Sequence, residues 1–246
     1  MKPFFLFLLL FAPFCVIAQE NAEPALAAEE GKCFGLNFSL SGVNRYLWRG
    51  GKAYDGLALQ PAVEASYGDF TLGNWNDVNL GDDENNGFAE ADFYFSYDKA
   101  LPCCEKLALS AGYNLYTYPV SYDVEEEAVD HEFSLGLAVD MVGSPYLTYF
   151  ISPTDGMDGL QYQYLELGGS HDVELRENLN LSLAGTVGYA IPNEGDATAT
   201  VIGLSISPVY STVMEIAPIF FYQIPLGDDF ESDFYAGLTV SYGLEF

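Results

Sequence analysis

The sequence is short of positive charge: it holds 8 Lys and Arg against 36 Asp and Glu, for a net charge of −28. Proteins that bind nucleic acid neutralise its phosphates with Lys and Arg, so we exclude nucleic acid as a partner. The same shortage argues against binding to an anionic bilayer surface. Acidic runs such as Asp82-Asp83-Glu84 are interpreted as solvated loops, because they lack the ligand spacing of a calcium loop. We therefore predict no metal site and no cofactor.

Long apolar runs are also lacking, except at the N terminus. There Lys2 precedes an apolar run at residues 4–11 and a small-residue pattern before Gln19. This layout predicts a secretory signal peptide over residues 1–18, followed by a flexible periplasmic leader at residues 19–33. No later run approaches the roughly 20 residues of a transmembrane helix.

Helical periodicity is nearly absent, although half of the residues are hydrophobic and the chain has 18 Tyr and 18 Phe. Many segments instead alternate apolar with polar or small residues, between clusters of Gly, Asp, Asn and Pro. This pattern is typical of transmembrane barrels. We predict an all-β, antiparallel transmembrane β-barrel over residues 34–246 with about 12 strands, or 10 or 14 if a weak segment is merged or split. Its first strand is expected at residues 34–47, and the alternation of short turns with long acidic loops places both termini in the periplasm.

The last segment carries the clearest alternation. Phe234, Leu238 and Phe246 fall on one face, which we expect to meet lipid, and Tyr235 and Thr239 fall on the other, towards the lumen. The alternative is a strand of a soluble β-sandwich that happens to end in Phe. The terminal aromatic resembles the signal by which outer-membrane proteins reach the barrel-assembly machinery. We therefore predict a multi-pass protein among the lipids of a Gram-negative outer membrane, with Phe246 as its assembly signal.

Charged residues inside the barrel follow from the same alternation, because carboxylates facing lipid are costly. Arg45 and Arg49 are expected on one face of the first strand or its extension. With the inward acids they would form either a transverse field that orients solutes or ion pairs that brace the barrel. The predicted pore-lining residues are Arg45, Arg49, Glu64, Glu90, Asp92, Glu132 and Glu166.

Large aromatic residues near predicted strand ends are typical of the belts at membrane interfaces. We assign Trp48, Trp75, Tyr116 and Tyr118 to such a belt. Trp75 has an alternative, inward orientation, because it shares its parity with polar residues of its strand.

Cysteine and histidine are scarce. The mature chain would keep Cys33, Cys103 and Cys104, an odd number, so a disulfide from Cys33 to one of the pair would leave one thiol free. His131 and His171 are the two histidines. Neither has a nucleophile motif beside it, and the topology separates them to opposite barrel ends, so we predict that the protein is not an enzyme.

Four short motifs resemble, in their order, those of the TorF-type porin family. They are YLWRG at residues 46–50, ALQP at 58–61, GDFTLGNW at 68–75 and EADFY at 90–94. The resemblance extends over about residues 43–189, and the cysteines are not part of its pattern. It implies a barrel and a pore but supplies no substrate.

The sequence leaves two functions open. The first is a porin-like channel for passive passage of small hydrophilic solutes or ions, preferring cations because interior acids outnumber interior bases. The second is a closed structural or adhesive barrel that acts through its acidic extracellular loops. Both remain open because inward side chains can largely fill the lumen of a barrel of about 12 strands.

Overall fold

The computed structural model describes residues 33–81, 86–102, 104–119, 129–153, 162–192 and 196–246. The predicted signal peptide and all of the predicted leader except Cys33 lie outside the described residues. So do Cys103 and the acidic run at residues 82–84.

Fourteen strands make up the described part of the chain. They are β1 (Phe34–Val43), β2 (Tyr46–Trp48), β3 (Gly51–Tyr54), β4 (Ala58–Tyr67), β5 (Phe70–Asn79), β6 (Gly87–Leu101), β7 (Cys104–Thr117), β8 (Val129–Val139), β9 (Tyr146–Ser152), β10 (Tyr162–Arg176), β11 (Leu179–Pro192), β12 (Thr198–Ser211), β13 (Glu215–Pro225) and β14 (Asp233–Glu245). Twelve of them close an antiparallel barrel in which neighbours in sequence are neighbours in space, and β1 pairs with both β14 and β4. The predicted count of 12 is confirmed, while β2 and β3 form a separate two-stranded sheet.

The two faces of the barrel wall differ as the period of two requires. In β14 Phe234 and Leu238 are 43% and 48% exposed, whereas Tyr235 and Thr239 are 4% and 3% exposed. A soluble sandwich buries its apolar face, but here the apolar rows point outward and the polar rows inward. This is the arrangement of a barrel surrounded by lipid. Among the described residues no helix is long and apolar enough to cross a membrane.

The ends of the chain meet where the barrel closes. The backbone N–H of Phe246 donates to the carbonyl of Phe34 at 2.9 Å, the N–H of Phe34 donates in return at 3.3 Å, and the ring centroids lie 6.0 Å apart. We call this end the short-turn end, and it also holds residues 68–69, 102, 140–145, 177–178 and 212–214. Among the described residues, the opposite, long-loop end holds residues 44–57, 80–81, 86, 118–119, 153, 196–197 and 226–232.

The predicted first strand at residues 34–47 is wrong at its end, because β1 stops at Val43 and the chain turns into the β2–β3 hairpin. Arg49 and Gly50 form its two-residue turn with φ of 47° and 89°, between the paired residues Trp48 and Gly51. Positive φ at both central positions is the geometry that matches the twist of a tight hairpin. The left-handed backbone at Arg49 is uncommon for a residue with a side chain, so its surroundings must hold it there.

Candidate functional site

The β2–β3 hairpin, which we call the plug hairpin (residues 46–54), crosses the barrel lumen at the long-loop end. It leaves the wall between β1 and β4, and in a ring of 12 strands the opposite wall is β9 and β10. Strand spacings of about 4.8 Å at a tilt of about 40° give a bore about 24 Å wide between opposite backbones. Five residue steps of about 3.3 Å carry the backbone about 17 Å from Asn44 to Arg49. The Arg49 side chain completes the distance, because it contacts Phe150 of β9 and Tyr164 of β10.

The tip of the plug hairpin is held by one buried ion pair. Arg49 donates from Nη1 to Oε2 of Glu132 at 2.6 Å and from Nη2 to Oε1 at 3.0 Å, a bidentate pair in which the side chains are 5% and 1% exposed. Hydroxyls of Tyr116 and Tyr162 donate to the same carboxylate at 2.9 and 2.7 Å. Burial is the largest single influence on the pKa of Arg49 and lowers it, but the charge and hydrogen bonds of Glu132, with Tyr162 and Tyr116, together hold that pKa well above its ordinary value.

Aromatic rings surround the same guanidinium. Its carbon lies 4.4 Å from the ring centroid of Phe150, 4.5 Å from Tyr164, 4.6 Å from Trp48 and 5.5 Å from Tyr162. Distances below about 6 Å allow cation–π attraction, which strengthens when the cation is desolvated. These four rings and the Glu132 carboxylate are called the guanidinium cage below.

Further contacts fix the plug hairpin along its length. The carbonyl of Gly50 accepts a hydrogen bond from Nε2 of Gln223 at 3.1 Å, on the β13 wall. Nearer its base, the ring of Tyr46 lies 5.5 Å from that of Trp75, and both residues are buried. The hairpin is therefore docked against three parts of the wall.

Arg45 lies at the base of the plug hairpin, not in the lumen. It forms an ion pair with Asp233 and another, at 2.7 Å, with Asp55, and its side chain is 26% exposed. Hydrogen bonds from Lys52 and Arg45 lower the pKa of Asp55, so this carboxylate remains charged near neutrality. The expectation that Arg45 and Arg49 share a face of the first strand or its extension is wrong, because β1 ends before both and Arg49 lies in the turn after β2.

Two predicted inward acids have polar partners in the wall. Glu64 accepts a hydrogen bond from the hydroxyl of Tyr94 at 2.7 Å, and a second from Asn37 at 3.3 Å. Glu166 is 1% exposed and accepts from the hydroxyl of Tyr146 at 2.8 Å. Both therefore lie on the inward rows of their strands, as the alternation requires.

A second group of acids lines the wall beside β5 and β6. Asp77 accepts from Nε2 of Gln60 at 3.0 Å, and Glu90 is hydrogen-bonded by Tyr46 of the plug hairpin. Asp92 is 1% exposed, and within the described part of the chain neither of its carboxylate oxygens has a hydrogen-bond partner. This part of the wall therefore concentrates carboxyl groups beside the hairpin.

The assignment of Trp48, Trp75 and Tyr116 to an outer interface belt is wrong. Trp75 and Tyr116 are 4% and 3% exposed, and Trp48 packs against Tyr116 and Tyr162 with ring centroids 6.4 and 6.0 Å apart. The inward alternative for Trp75 is the one observed. Tyr118 is half-buried, and its hydroxyl donates to Asp130 at 3.3 Å.

The structure bears on only one of the predicted disulfide pairings. Cys33 and Cys104 are exposed and are not bonded to each other. Their strands stand four spacings apart in the ring, or about 19 Å along the wall, whereas a disulfide needs Cα atoms within about 7 Å. A bond that uses Cys103 stays a prediction, because Cys103 lies outside the described residues.

The histidines do not meet each other. A hydrogen bond of 2.7 Å joins Nδ1 of His131 and the hydroxyl of Tyr113, and His171 pairs with Leu183 near the short-turn end. In the portion of the chain that the structure describes, no group of three or more His, Cys, Asp or Glu is placed to hold a metal ion. The predictions that the protein has no metal site and is not an enzyme stay predictions.

The wall rings of the guanidinium cage are not among the predicted site residues. The inward parity of β9 and β10 places Phe150, Tyr162 and Tyr164 on the same rows as Glu166, and this signal was available. The Gly50-Gly51 pair, which lies between Trp48 and Tyr54, also indicates a tight turn. What no local pattern indicates is that Arg49 reaches Glu132, 83 residues later.

One family profile matches the chain over residues 27–206, and it is described as a bacterial protein of unknown function (Gcw_chp). The chain belongs to the Gcw_chp family. The match covers β1 to most of β12, including the plug hairpin and every wall residue of the cage. It leaves the resemblance of this Gcw_chp member to TorF-type porins a prediction.

Solved barrels are similar to this Gcw_chp member in fold. The COG4313 outer membrane channel from Pseudomonas putida has 10% identity and a TM-score of 0.49, covering 89% of this chain and 98% of the other. LpxR from Salmonella typhimurium has 9% identity and a TM-score of 0.47, covering 85% and 99%. The outer membrane channel DcaP of Acinetobacter baumannii has 10% identity and a TM-score of 0.39, covering 89% and 99%. A search of curated protein sequences gives no significant match.

Proposed function

We propose that this barrel is an outer-membrane channel for small hydrophilic solutes or ions, that it prefers cations, and that the plug hairpin is its constriction. The observation that carries the proposal is the bore itself: acidic side chains line it, and a hairpin held by one buried ion pair crosses it. The apolar outer face supports a membrane location, and the signal-peptide pattern supports export through the periplasm.

The excess of acidic over basic side chains inside the lumen supports the cation preference. Among the described residues, Arg49 is the one buried Lys or Arg, and Glu132 pairs with its positive charge. Five further acids line the wall: Glu64, Asp77, Glu90, Asp92 and Glu166. Four of them have hydrogen bonds to neutral groups, and Asp92 has no hydrogen-bond partner among the described residues. Rings of Asp or Glu attract cations and repel anions in pores.

The plug hairpin supports a narrow or closed resting state. It extends from the β1–β4 wall to the β9–β10 wall, so solutes must pass beside it or displace it. Displacement must separate Arg49 from Glu132, since this pair fixes the tip. Opening therefore requires this buried ion pair to break, together with the Gln223 hydrogen bond and the ring contacts of the hairpin, and it leaves the 12-stranded wall intact.

The docked hairpin also favours a second candidate, a permanently closed barrel that serves a structural or adhesive role through its acidic loops. In this case the guanidinium cage would act only as a brace, since a buried Arg normally needs its carboxylate. Conductance separates the two candidates, because a brace that never opens passes no current.

The test of selectivity is the reversal potential of single channels in planar bilayers under a KCl gradient. The double variant Glu90→Gln with Asp92→Asn removes two carboxylates from the wall, and we expect the reversal potential to move towards zero. The matched control, Asp140→Asn with Glu245→Gln, removes the same charges from exposed sites near the short-turn end and should have a smaller effect. An unchanged reversal potential in the lumen variant would refute the role of these acids.

A further inference from the structure

The guanidinium cage is built mainly by the barrel wall. Glu132 on β8, Phe150 on β9, and Tyr162 and Tyr164 on β10 supply the carboxylate and three of the four rings. The plug hairpin contributes only Trp48 and the guanidinium that the cage encloses. The wall therefore carries a nearly complete receptor for a cation, and Arg49 occupies it as a tethered ligand.

The chemistry of this receptor selects a class of ligand. A carboxylate that takes two parallel N–H donors matches the planar guanidinium fork, and a compact ammonium ion cannot reproduce this geometry. Ring faces at 4.4 to 5.5 Å add attraction for a weakly hydrated, delocalised cation. Tyr162 also suits a guanidinium ligand, because its hydroxyl accepts a hydrogen bond from Arg49 at 3.0 Å while it donates one to Glu132.

We propose that the wall of the cage is a binding site for small organic cations that carry a guanidinium group, and that such a cation exchanges with Arg49 and frees the plug hairpin. The binding half of this proposal stands on the cage alone. The consequence for passage rests on the proposed channel function. The organic cation would then be both a ligand and an opener of the pore.

Competition with Arg49 sets the expected affinities. A protein whose binding-competent state is a minor population binds its ligand more weakly by that fraction. If the plug hairpin is docked in at least about nine molecules in ten, wild-type protein binds a guanidinium ligand about tenfold or more weakly than a variant without Arg49.

The experiment is isothermal titration of methylguanidinium chloride into the purified, folded barrel in detergent micelles. Arg49→Ala should bind at least about tenfold more tightly than wild type. Adding Glu132→Gln to Arg49→Ala should weaken binding by about tenfold or more, since hydrogen bonds to a charged group are lost. Sodium chloride at the same concentration controls for ionic strength and should give no saturable heat. Equal binding in wild type and Arg49→Ala, or no effect of Glu132→Gln, would overturn the proposal.

Folding of Arg49→Ala is itself informative, because the variant leaves Glu132 buried without its cation. If the variant refolds poorly, its refolding yield in methylguanidinium chloride should exceed that in sodium chloride, and equal yields would count against the cage. The two proposals fail separately. Binding without any conductance refutes the channel and leaves the cage, whereas conductance without binding refutes the cage and leaves the channel.

Discussion

Replacing Glu132 by glutamine (Glu132→Gln) leaves the buried guanidinium of Arg49 without a counter-charge. The carboxylate now takes two bonds from Arg49 and one each from the hydroxyls of Tyr116 and Tyr162. Glutamine keeps one acceptor oxygen but turns the other into an NH2 group, which must face donors. The variant therefore loses both charge and hydrogen bonds at one position.

The size of the effect follows from burial. Breaking a fully buried pair by removing one partner costs about 3–5 kcal/mol, and here both side chains are at most 5% exposed. The rings of Phe150 and Tyr164 still attract the guanidinium, so we expect about 3 kcal/mol. Undocking of the plug hairpin limits the cost, since it returns Arg49 to water. The loss then appears as hairpin release and not as unfolding of the barrel.

Two readouts capture both outcomes. Urea unfolding in micelles measures the free energy of unfolding, and acrylamide quenching of tryptophan fluorescence measures release of the hairpin. The chain has 2 Trp, and both report on docking, because Trp48 lies on the hairpin and Trp75 contacts Tyr46. The matched control is Arg45→Ala, which removes an Arg from partly exposed ion pairs and should cost no more than about 1 kcal/mol. Destabilisation by Glu132→Gln of less than about 1 kcal/mol, with unchanged quenching, would refute the assigned role of the ion pair.

Three further predictions concern other parts of the chain. Gly188→Ala would place a Cβ against the hydroxyl of Tyr164, so we expect a loss of about 1–3 kcal/mol in urea unfolding. Gly243→Ala, where a Cβ meets nothing within 4 Å, should change stability by no more than about 0.5 kcal/mol. Phe246→Ala should lower the fraction of protein recovered in the outer membrane on cell fractionation, whereas Phe34→Ala should not. Equal losses would mean that the ring contact and not the terminal signal matters. The pKa of Asp55 is lowered in the folded protein, so its stabilisation is present above its unfolded pKa and is lost as the pH falls through the folded value. The difference in hairpin quenching between wild type and Asp55→Asn should therefore stay constant above about pH 5 and vanish in strong acid.

The barrel could be predicted because its wall obeys one strict rule. Every spanning strand alternates between lipid and lumen, so β14 alone indicates both faces, and repetition of the pattern indicates closure. The inward acids followed from the same rule, since Glu132 and Glu166 had no tolerable place on a lipid face. This part of the structure depends on local periodicity, which a sequence displays directly.

The plug hairpin could not be predicted in the same way. Residues 44–48 contain no Gly or Pro that would mark a break, so an extended β1 and a folded hairpin look alike until the turn at Arg49 is recognised. Arg is not a usual residue for a left-handed turn position, and the contacts that hold it there come from β8, β9 and β10. The assignment of Trp48 to the interface belt is wrong for the same reason. The sequence around an aromatic residue does not show whether its segment extends the barrel wall or folds into the lumen.

The most direct test of the central claim is single-channel conductance of the pure, folded protein in planar bilayers, compared between wild type and Arg49→Ala. We expect small or rare cation-selective openings in wild type, and larger or more frequent openings in Arg49→Ala, because the hairpin loses its buried contact with Glu132. Folding of both proteins is checked by their β-sheet circular dichroism before recording. Absence of conductance in both folded proteins would contradict the account and leave a closed barrel.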